Sequence, residues 1–535
     1  RQKYMKEKRK LKLKKFYFHP ITVFLFLILL TMVLSGILSA LQMQATYNTI
    51  NPNTNELEPT LVAVENLLSF DGMKAFIGNA TTNFISFAPL GTLLLALIGI
   101  TIAEATGLIE TLTKRHISKI PKEIFTFIIL FIATISSLIN EVGYAILIPL
   151  IALIYFINGR NPILGIITAF CGVAFGYGVT IFVGTMEVAL MNYTQTAAWL
   201  VDDGMHIALT SNLFFIIATS ILISIIGTFI IEKIIAPKIG KYKKEEEFAK
   251  TEQYRVINLE EEEQKKIEKD KNEKRGLRFA LITTIIVIIL FIYALIPGLP
   301  YSGMLLDMTE KTYLNQVFGE TSYFQSGFTY LVTLLLVLAG LAYGIGARTI
   351  KNDKELIEEI GKKFSKIGYI FVLMFVVSQF IAVFKETNIG VIITAWLANL
   401  LEHLEFSGIP LIVVTLLIIA FSNIFLTSPT TKWMIFSPIV VPMFMQANIS
   451  PQFAQIVMRI GNSMTNGFTP ILASFVIFLG YLNIYNLNKA KPITIRKSLK
   501  MITPYFLLIA IAWILIVVGW YITGLPIGPG VFPTL

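Results

Sequence analysis

Residues 136–180 read SSLINEVGYAILIPLIALIYFINGRNPILGIITAFCGVAFGYGVT, and 289 positions further on residues 425–469 read FLTSPTTKWMIFSPIVVPMFMQANISPQFAQIVMRIGNSMTNGFT. The two stretches align without a gap. Tyr144 falls on Trp433, Pro149 on Pro438, Pro162 on Pro451, Gly172 on Gly461, Gly178 on Gly467 and Thr180 on Thr469. Pro and Gly punctuate backbone geometry rather than fill apolar space. Chance agreement between two Ile/Leu/Val-rich segments would return aliphatic matches, so these shared positions mark a duplicated unit.

Each copy opens with two short apolar legs, 124–139 with 144–157 and 408–425 with 433–446, joined by a few polar residues. A leg of this length is short for a bilayer crossing, which takes about 20 apolar residues. Each pair therefore reads as a re-entrant hairpin, tolerated at membrane depth only where its tip is buried in protein or lines a watery cavity. Behind each hairpin lies a long run interrupted by Gly and polar residues, 163–190 and 452–485, which reads as a broken helix.

Outward from these units, uninterrupted runs long enough to span occur at about 21–43, 82–104, 207–231, 279–297, 326–345, 366–384 and 501–523. The expected fold is an all-α integral membrane protein with nine transmembrane helices and two re-entrant hairpins in an inverted repeat. The chain divides into an N-terminal half, 1–231, with the first hairpin at about 124–157, and a C-terminal half, 279–535, with the second at about 408–446. Between them, 232–278 is dense in both charge signs and reads as a solvated cytoplasmic helical connector. Residues 351–364, KNDKELIEEIGKKF, read as an interfacial amphipathic helix.

Composition agrees with a bilayer as the main solvent: 55% of the 535 residues are hydrophobic and only 15% charged, and the mean hydropathy is +0.70. The net charge of +10 is positional, because 39 of the 44 Lys and Arg fall in 1–15, 111–123, 158–162, 232–278, 346–367 and 486–500. The positive-inside rule puts these segments in the cytoplasm. Segments 45–81, 298–325 and 385–407, on the other side, hold only Lys74, Lys311 and Lys385. The reading is a multi-pass protein of the plasma or inner membrane, with the N-terminus cytoplasmic and the C-terminus outside. The first hairpin then enters from the cytoplasm and the second from outside.

The basic 1–15 segment and the run after it resemble a secretory signal, but the run is long enough to span and no small-residue cleavage motif follows, so a retained first helix is expected. No basic stripe with aromatic interleaving suggests nucleic acid. The single cysteine, Cys171, excludes an intrachain disulfide or cysteine metal site. His19, His116, His206 and His403 are scattered, and no HExxH, nucleophile elbow or phosphate loop occurs. A membrane enzyme is therefore disfavoured, and a transporter with no cofactor is expected.

Inverted repeats place substrate and coupling-ion sites at their interface, on discontinuous helices. The first tip offers Ser136, Ser137, Asn140 and Glu141; the second offers Asn423, Thr427, Ser428, Thr430 and Thr431, then Lys432 and Trp433. Hydroxyl, amide and freed carbonyl oxygens suit a hard cation such as Na+, and half-helix N-termini suit an anion. The competing reading is that these Ser and Thr only cap broken helices. Glu141 and Glu187 stand out because an intramembrane carboxylate is costly. Glu187 either faces a dehydrated cavity, where it would exchange a proton, or sits at the outer surface; Glu104 is a weaker candidate, near headgroups. The second broken helix supplies Asn462, Ser463, Thr465, Asn466 and Thr469, with Gly461, Gly467 and Pro470 accounting for its interruption, as Gly172 and Gly178 do in the first. Arg459 would counter a substrate carboxylate or snorkel to the interface. Trp433 would stack on an aromatic ring or anchor the hairpin.

In NEVGYAILIPL, GRNPILGIITAFCGV, VGTMEVALMNYTQTAA, FLTSPTTKWMIFSPIVVPMFM and SPQFAQIVMRIGNSMTN the sequence resembles the AbgT family of p-aminobenzoyl-glutamate transporters, of the wider ion-transporter superfamily. The resemblance implies a bowl-shaped homodimer in contact with membrane lipid. It also implies transport of p-aminobenzoyl-glutamate, a folate breakdown product, and export of sulfonamides, driven by a Na+ or H+ gradient. Another dicarboxylate or a small peptide is the alternative cargo. By the same resemblance Asn423 and Trp433 lie beside the second hairpin, and Glu141 and Glu187 stand where the family usually has aspartate. Asn462 departs from the acidic residue of the family's RIGDSVTN-like block. Since Asn cannot titrate, Glu187 or backbone oxygens would carry more of the coupling. Substrate binding is thus expected at Ser137, Asn140, Glu141, Thr427, Ser428, Thr430, Trp433 and Asn466, ion coupling at Glu187, Asn423 and Asn462, and Na+ at Asn423 and Asn462.

Overall fold

The computed structural model describes residues 18–51, 54–139, 141–242, 259–350 and 352–535. Among them eight helices are long and apolar enough to cross a membrane. Seven coincide with the uninterrupted runs: Pro20–Ala40, Phe70–Ala105, Leu213–Ile239, Lys266–Tyr293, Tyr323–Ala347, Gly368–Glu386 and Ile495–Thr523. The eighth, Lys122–Ile139, is the first hairpin leg, lengthened by a 3-10 turn over Ser136–Ile139.

Several boundaries differ from the sequence reading. The second span starts at Phe70 and breaks at Ser86–Phe87, where Pro89, lacking an N–H, opens the Ala88–Ala105 helix. Residues 385–407 contain the helix Ile389–Glu402, which buries Ile392, Ala395, Ala398 and Leu401 at helical spacing. Against it lies a two-stranded antiparallel sheet, β1 (Gln44–Ile50) and β2 (Leu57–Ala63), with Gln44 opposite Ala63. Trp396 Nε1 and Asn399 Nδ2 donate to the Gln44 and Thr46 carbonyls at 3.2 and 2.9 Å. At the linker, one helix, Leu259–Tyr293, runs unbroken through position 278. Its polar turns are good helix formers, and Lys274 pairs with Asp270 one turn away at 2.7 Å. Residues 243–258 of the linker lie outside the described residues.

The two copies fold as four helices each. The first comprises α1 (Lys122–Ile135), α2 (Val142–Ile157), α3 (Pro162–Phe175) and α4 (Thr185–Trp199). The second comprises α5 (Gly408–Ser422), α6 (Pro429–Gln446), α7 (Pro451–Thr465) and α8 (Phe475–Ile484). At about 1.5 Å per residue α5 reaches only about 23 Å, short of the roughly 30 Å hydrocarbon core, whereas α1 attains spanning length only with its 3-10 turn. Pro162 and Pro451 open α3 and α7 at the first helical position, where a missing N–H costs nothing, behind the capping side chains of Asn161 and Ser450.

In both copies the two hairpin legs pack on the third helix, α1 and α2 on α3, α5 and α6 on α7. Glycine permits the close approach. A Cβ on Gly172 would lie 2.5 Å from Ala133 Cβ and 3.2 Å from Leu130 Cδ2, and one on Gly461 would lie 2.8 Å from Ile419 Cγ2. Leu130 and Ile419 are themselves equivalent positions in the 289-residue register. After each break the chain crosses to the other copy: α4 packs on α6 and α7, and α8 packs on α2 and α3. The duplication is therefore a reciprocal exchange of half-helices, and the two breaks sit where the copies meet.

The connecting segments sort into two groups by their contacts. Arg115 pairs with Asp270 and Glu273 at 2.5 and 2.7 Å, Arg160 with Glu232 at 2.6 Å, Lys233 with Glu123 at 3.8 Å, and Lys363 with Glu104. All of these join ends that the charge pattern puts in the cytoplasm, and they give Glu104 a lysine of the Asp353–Lys366 helix as partner. The sheet and the 389–402 helix make the other group. So does the end of the chain, where Ser450 Oγ donates to the Phe532 carbonyl at 2.7 Å.

Candidate functional site

An interrupted helix frees carbonyl and amide groups that must find partners. Between α3 and α4, Ser137 Oγ donates to the Thr134 and Val179 carbonyls at 2.8 and 2.9 Å. Trp513 Nε1 donates to the Phe175 carbonyl at 3.1 Å. In the second copy Thr465 and Thr469 donate to the Ala420 and Ile424 carbonyls at 2.7 and 2.9 Å. Ser428 accepts from the Thr431 N–H at 3.3 Å and caps α6. Ser137 and Ser428, read as substrate ligands, thus hold the backbone of the broken segments, as the capping reading anticipated.

Of the glycines read as accounting for the interruptions, Gly172 and Gly461 lie within α3 and α7, and Gly178 and Gly467 lie at the breaks without left-handed backbone. Gly178 and Gly467 are also points of contact between copies. The Gly178 N–H donates to Ser463 Oγ at 2.6 Å, and a Cβ there would meet the Arg459 carbonyl oxygen at 2.6 Å. A Cβ on Gly467 would lie 2.9 Å from Ala174 Cβ and Phe175 Cε2. Gly178→Ala is expected to lower stability by about 1–3 kcal/mol through forced separation of the copies. Gly78→Ala, whose Cβ meets nothing within 4 Å, should not destabilise, as thermal unfolding would register. Pro470 follows the Asn466–Phe468 3-10 turn and lies in the break itself.

Three polar clusters occupy this contact. In the first, Glu141, which precedes α2, accepts from Ser474 Oγ of the second broken helix at 2.6 Å, and no cation among the described residues pairs with it. In the second, Glu187 in the first turn of α4 accepts from the Gly184 N–H at 2.7 Å, while its other oxygen pairs with Arg459 of α7. The two side chains are 3% and 2% exposed. This corrects both expectations for them: Glu187 faces neither cavity nor outer surface, and Arg459 does not snorkel. Each charge is tolerable in the protein interior because the other compensates it.

The third cluster lies within the second copy. Lys432, in the first turn of α6 and fully buried, donates from Nζ to Asn423 Oδ1 and Asn462 Oδ1. Asn423 Nδ2 donates to the Asn462 carbonyl and to Thr465 Oγ1 at 3.0 and 3.2 Å. The two oxygens expected to hold Na+ therefore already accept from an ammonium, and neither side chain carries a negative charge. These residues do not fit a Na+ ion.

Trp433 is fully buried, and its Nε1 donates to Thr194 of α4 at 2.8 Å. Thr194 also contacts Gln455 at 3.0 Å, so the ring anchors the second hairpin to the first copy. Asn466 Nδ2 donates to Tyr144 Oη at 3.4 Å, another tie between copies. Thr427 and Thr430 are half-buried at the second tip. Thr430 lines a cleft of about 560 Å³ with Val188, Asn192, Tyr193 and Thr196 of α4 and Asn315, within the size range of small-molecule sites. Asn140 lies outside the described residues. Sequence reasoning assigned no role to Lys432, although an ionisable residue in an apolar leg was itself a signal. Ser474, Thr194 and Gln455 carried none, because Ser474 and Thr194 meet partners 333 and 239 positions away.

A model of the AbgT transporter family matches residues 14–535. The chain belongs to the AbgT family. The p-aminobenzoyl-glutamate transport protein of Escherichia coli (strain K12) is 32% identical over 518 residues, 97% of this chain and 94% of the relative. A crystal structure of the Alcanivorax borkumensis YdaH transporter is 27% identical, covers 96% of this chain and 100% of its own, and superposes with a TM-score of 0.47. The Neisseria gonorrhoeae MtrF structure, of a class of antimetabolite efflux pumps, is 30% identical, covers 97% and 98%, and also gives 0.47. This AbgT member is accordingly a multi-pass, predominantly helical membrane transporter.

Proposed function

We propose that this AbgT member is a secondary active transporter of p-aminobenzoyl-glutamate-like organic anions, with sulfonamides among its exported compounds, working by alternating access and coupled to an ion gradient. The observation that carries the reading is the buried charged centre at the exchange of half-helices. Glu141, Glu187 and Arg459 lie where α4 and α8 cross between copies, the location expected of a site in repeat-built transporters, and Lys432 lies beside them within the second copy. An anionic cargo is supported by Lys432: an ammonium at a helix N-terminus adds to the positive end of the helix dipole, and no carboxylate contacts it among the described residues. The cleft at Thr430 leads toward this tip. The name of the E. coli relative supports the aminobenzoyl-glutamate class.

Coupling is assigned to Glu141 as the proton-exchanging carboxylate, because Glu187 is committed to Arg459 whereas Glu141 is held by a hydroxyl. The segregation of connecting segments supports a cytoplasmic N-terminus, an outer C-terminus and entry of the hairpins from opposite sides, in a homodimer of the cell membrane. Proteoliposomes loaded with labelled p-aminobenzoyl-glutamate test the reading. Gradient-driven flux, competition by sulfonamides and loss of flux in Asn423→Ala and Glu141→Gln are expected. Robust flux of another dicarboxylate without flux of this compound would reject the cargo, and wild-type, gradient-driven flux in Glu141→Gln would reject the coupling residue.

A further inference from the structure

We propose that the Lys432 ammonium is the cation of the second hairpin tip, so that this chain carries covalently what a coupling Na+ would supply and binds no Na+ between Asn423 and Asn462. The inference rests on reading that tip as the ion-coupling position of a transporter.

The tip is built around an ammonium. Lys432, Asn423 and Asn462 are 0%, 0% and 1% exposed, so the three side chains see one another and not solvent. Both amide oxygens point at Nζ, and their orientation is fixed from behind. Asn423 Nδ2 is committed to the Asn462 carbonyl and Thr465 Oγ1, and Asn462 Nδ2 faces Met458 Sδ at 3.4 Å. Turning either amide over would put an NH2 group against the ammonium and break these bonds. Two acceptors without charge suit a cation that brings its own hydrogens. They do not suit a bare ion, which needs several oxygens and prefers an anionic one.

Charge points the same way. With a carboxylate at position 462, Lys432 would be neutralised and the tip could take one further cation. With Asn462 no carboxylate is left at the tip to attract a further cation, and Lys432 Nζ already holds both amide oxygens. A Na+ ion would have to displace Nζ from both of them to enter. The lysine stem begins in the first turn of α6, so the cation moves with the hairpin and cannot be released to either side of the membrane.

Purified full-length protein in lipid nanodiscs tests this without any transported substrate. Thermal unfolding of the wild type is expected to be the same in NaCl, KCl and choline chloride, because a ligand that binds only the native state would raise the midpoint. A saturable Na+-specific rise in the wild type would overturn the proposal. The double substitution Lys432→Gln with Asn462→Asp removes the tethered cation and restores the carboxylate, and it should gain a saturable, Na+-specific upward shift. A folded double variant with no such shift would also overturn it. If that variant does not fold, equilibrium binding of radioactive Na+ to the wild type decides: no saturable binding supports the proposal and saturable binding overturns it. Flux of labelled p-aminobenzoyl-glutamate should persist at an unchanged rate when K+ replaces all Na+. Loss of flux on that replacement, in protein shown to transport in NaCl, would count against the tethered cation and leave the cargo intact.

Discussion

Arg459→Met should lower stability by about 3–5 kcal/mol and abolish transport, while Arg459→Met combined with Glu187→Gln should recover most of the stability and none of the flux. The single substitution leaves the Glu187 carboxylate buried without its guanidinium, with the Gly184 N–H still bonded to it. Removing one member of a buried ion pair is costly because an uncompensated charge remains, whereas removing both leaves side chains of similar length and no buried charge. Cys171 supplies the readout, being the only cysteine in the sequence and fully buried in α3. The temperature at which it reacts with a thiol dye marks unfolding of the repeat core. A double variant as unstable as the single one would show that the pair does not account for the loss. The pair joins α4 of one copy to α7 of the other, so its rupture also releases the exchanged half-helix.

Trp433→Ala is the second large effect, about 3–5 kcal/mol for an emptied indole site, with Trp433→Phe costing only about 1 kcal/mol. Phenylalanine keeps most of the packed volume and loses the hydrogen bond to Thr194, which retains Gln455. The two substitutions separate anchoring from ring stacking. An anchor predicts that flux tracks stability, with Trp433→Phe near wild type and Trp433→Ala impaired in both. Stacking on the cargo's aromatic ring predicts a raised KM in Trp433→Ala with an unchanged unfolding temperature, and that result would refute the anchor.

The legible part of the fold was carried by residues whose backbone chemistry is local. Pro162 and Pro451 open equivalent helices because a proline lacks an N–H wherever it stands, and the short hairpin legs declare themselves by length. The 389–402 helix was hidden in a segment read as external, since its 14 residues are too few to span a bilayer and Lys385, Glu386, Glu402 and Glu405 flank it. The start at Phe70 was hidden because the first turns of that helix are polar.

At the site, Glu141, Glu187, Asn423, Trp433, Asn462 and Asn466 were legible as residues but not as contacts. Glu187 looked like a carboxylate awaiting a cavity until Arg459, far along the chain, proved to face it. Asn423 and Asn462 looked like a cation site, and both amide oxygens accept from Lys432, nine positions from the first and thirty from the second. Gly178 and Gly467 were legible as interruptions of their helices, but not as the points at which each copy admits the other.

The sequence by itself determined the duplication, the membrane setting, the interrupted helices and the caps that begin them, because spacing, hydropathy and the special backbones of Pro and Gly are properties of short stretches. Only the tertiary structure decided that the half-helices are exchanged, which charges neutralise one another, and which cation stands between the two asparagines. Those outcomes depend on side chains brought together from distant points of the chain, within a copy and between copies, where burial makes each charge costly until its partner arrives.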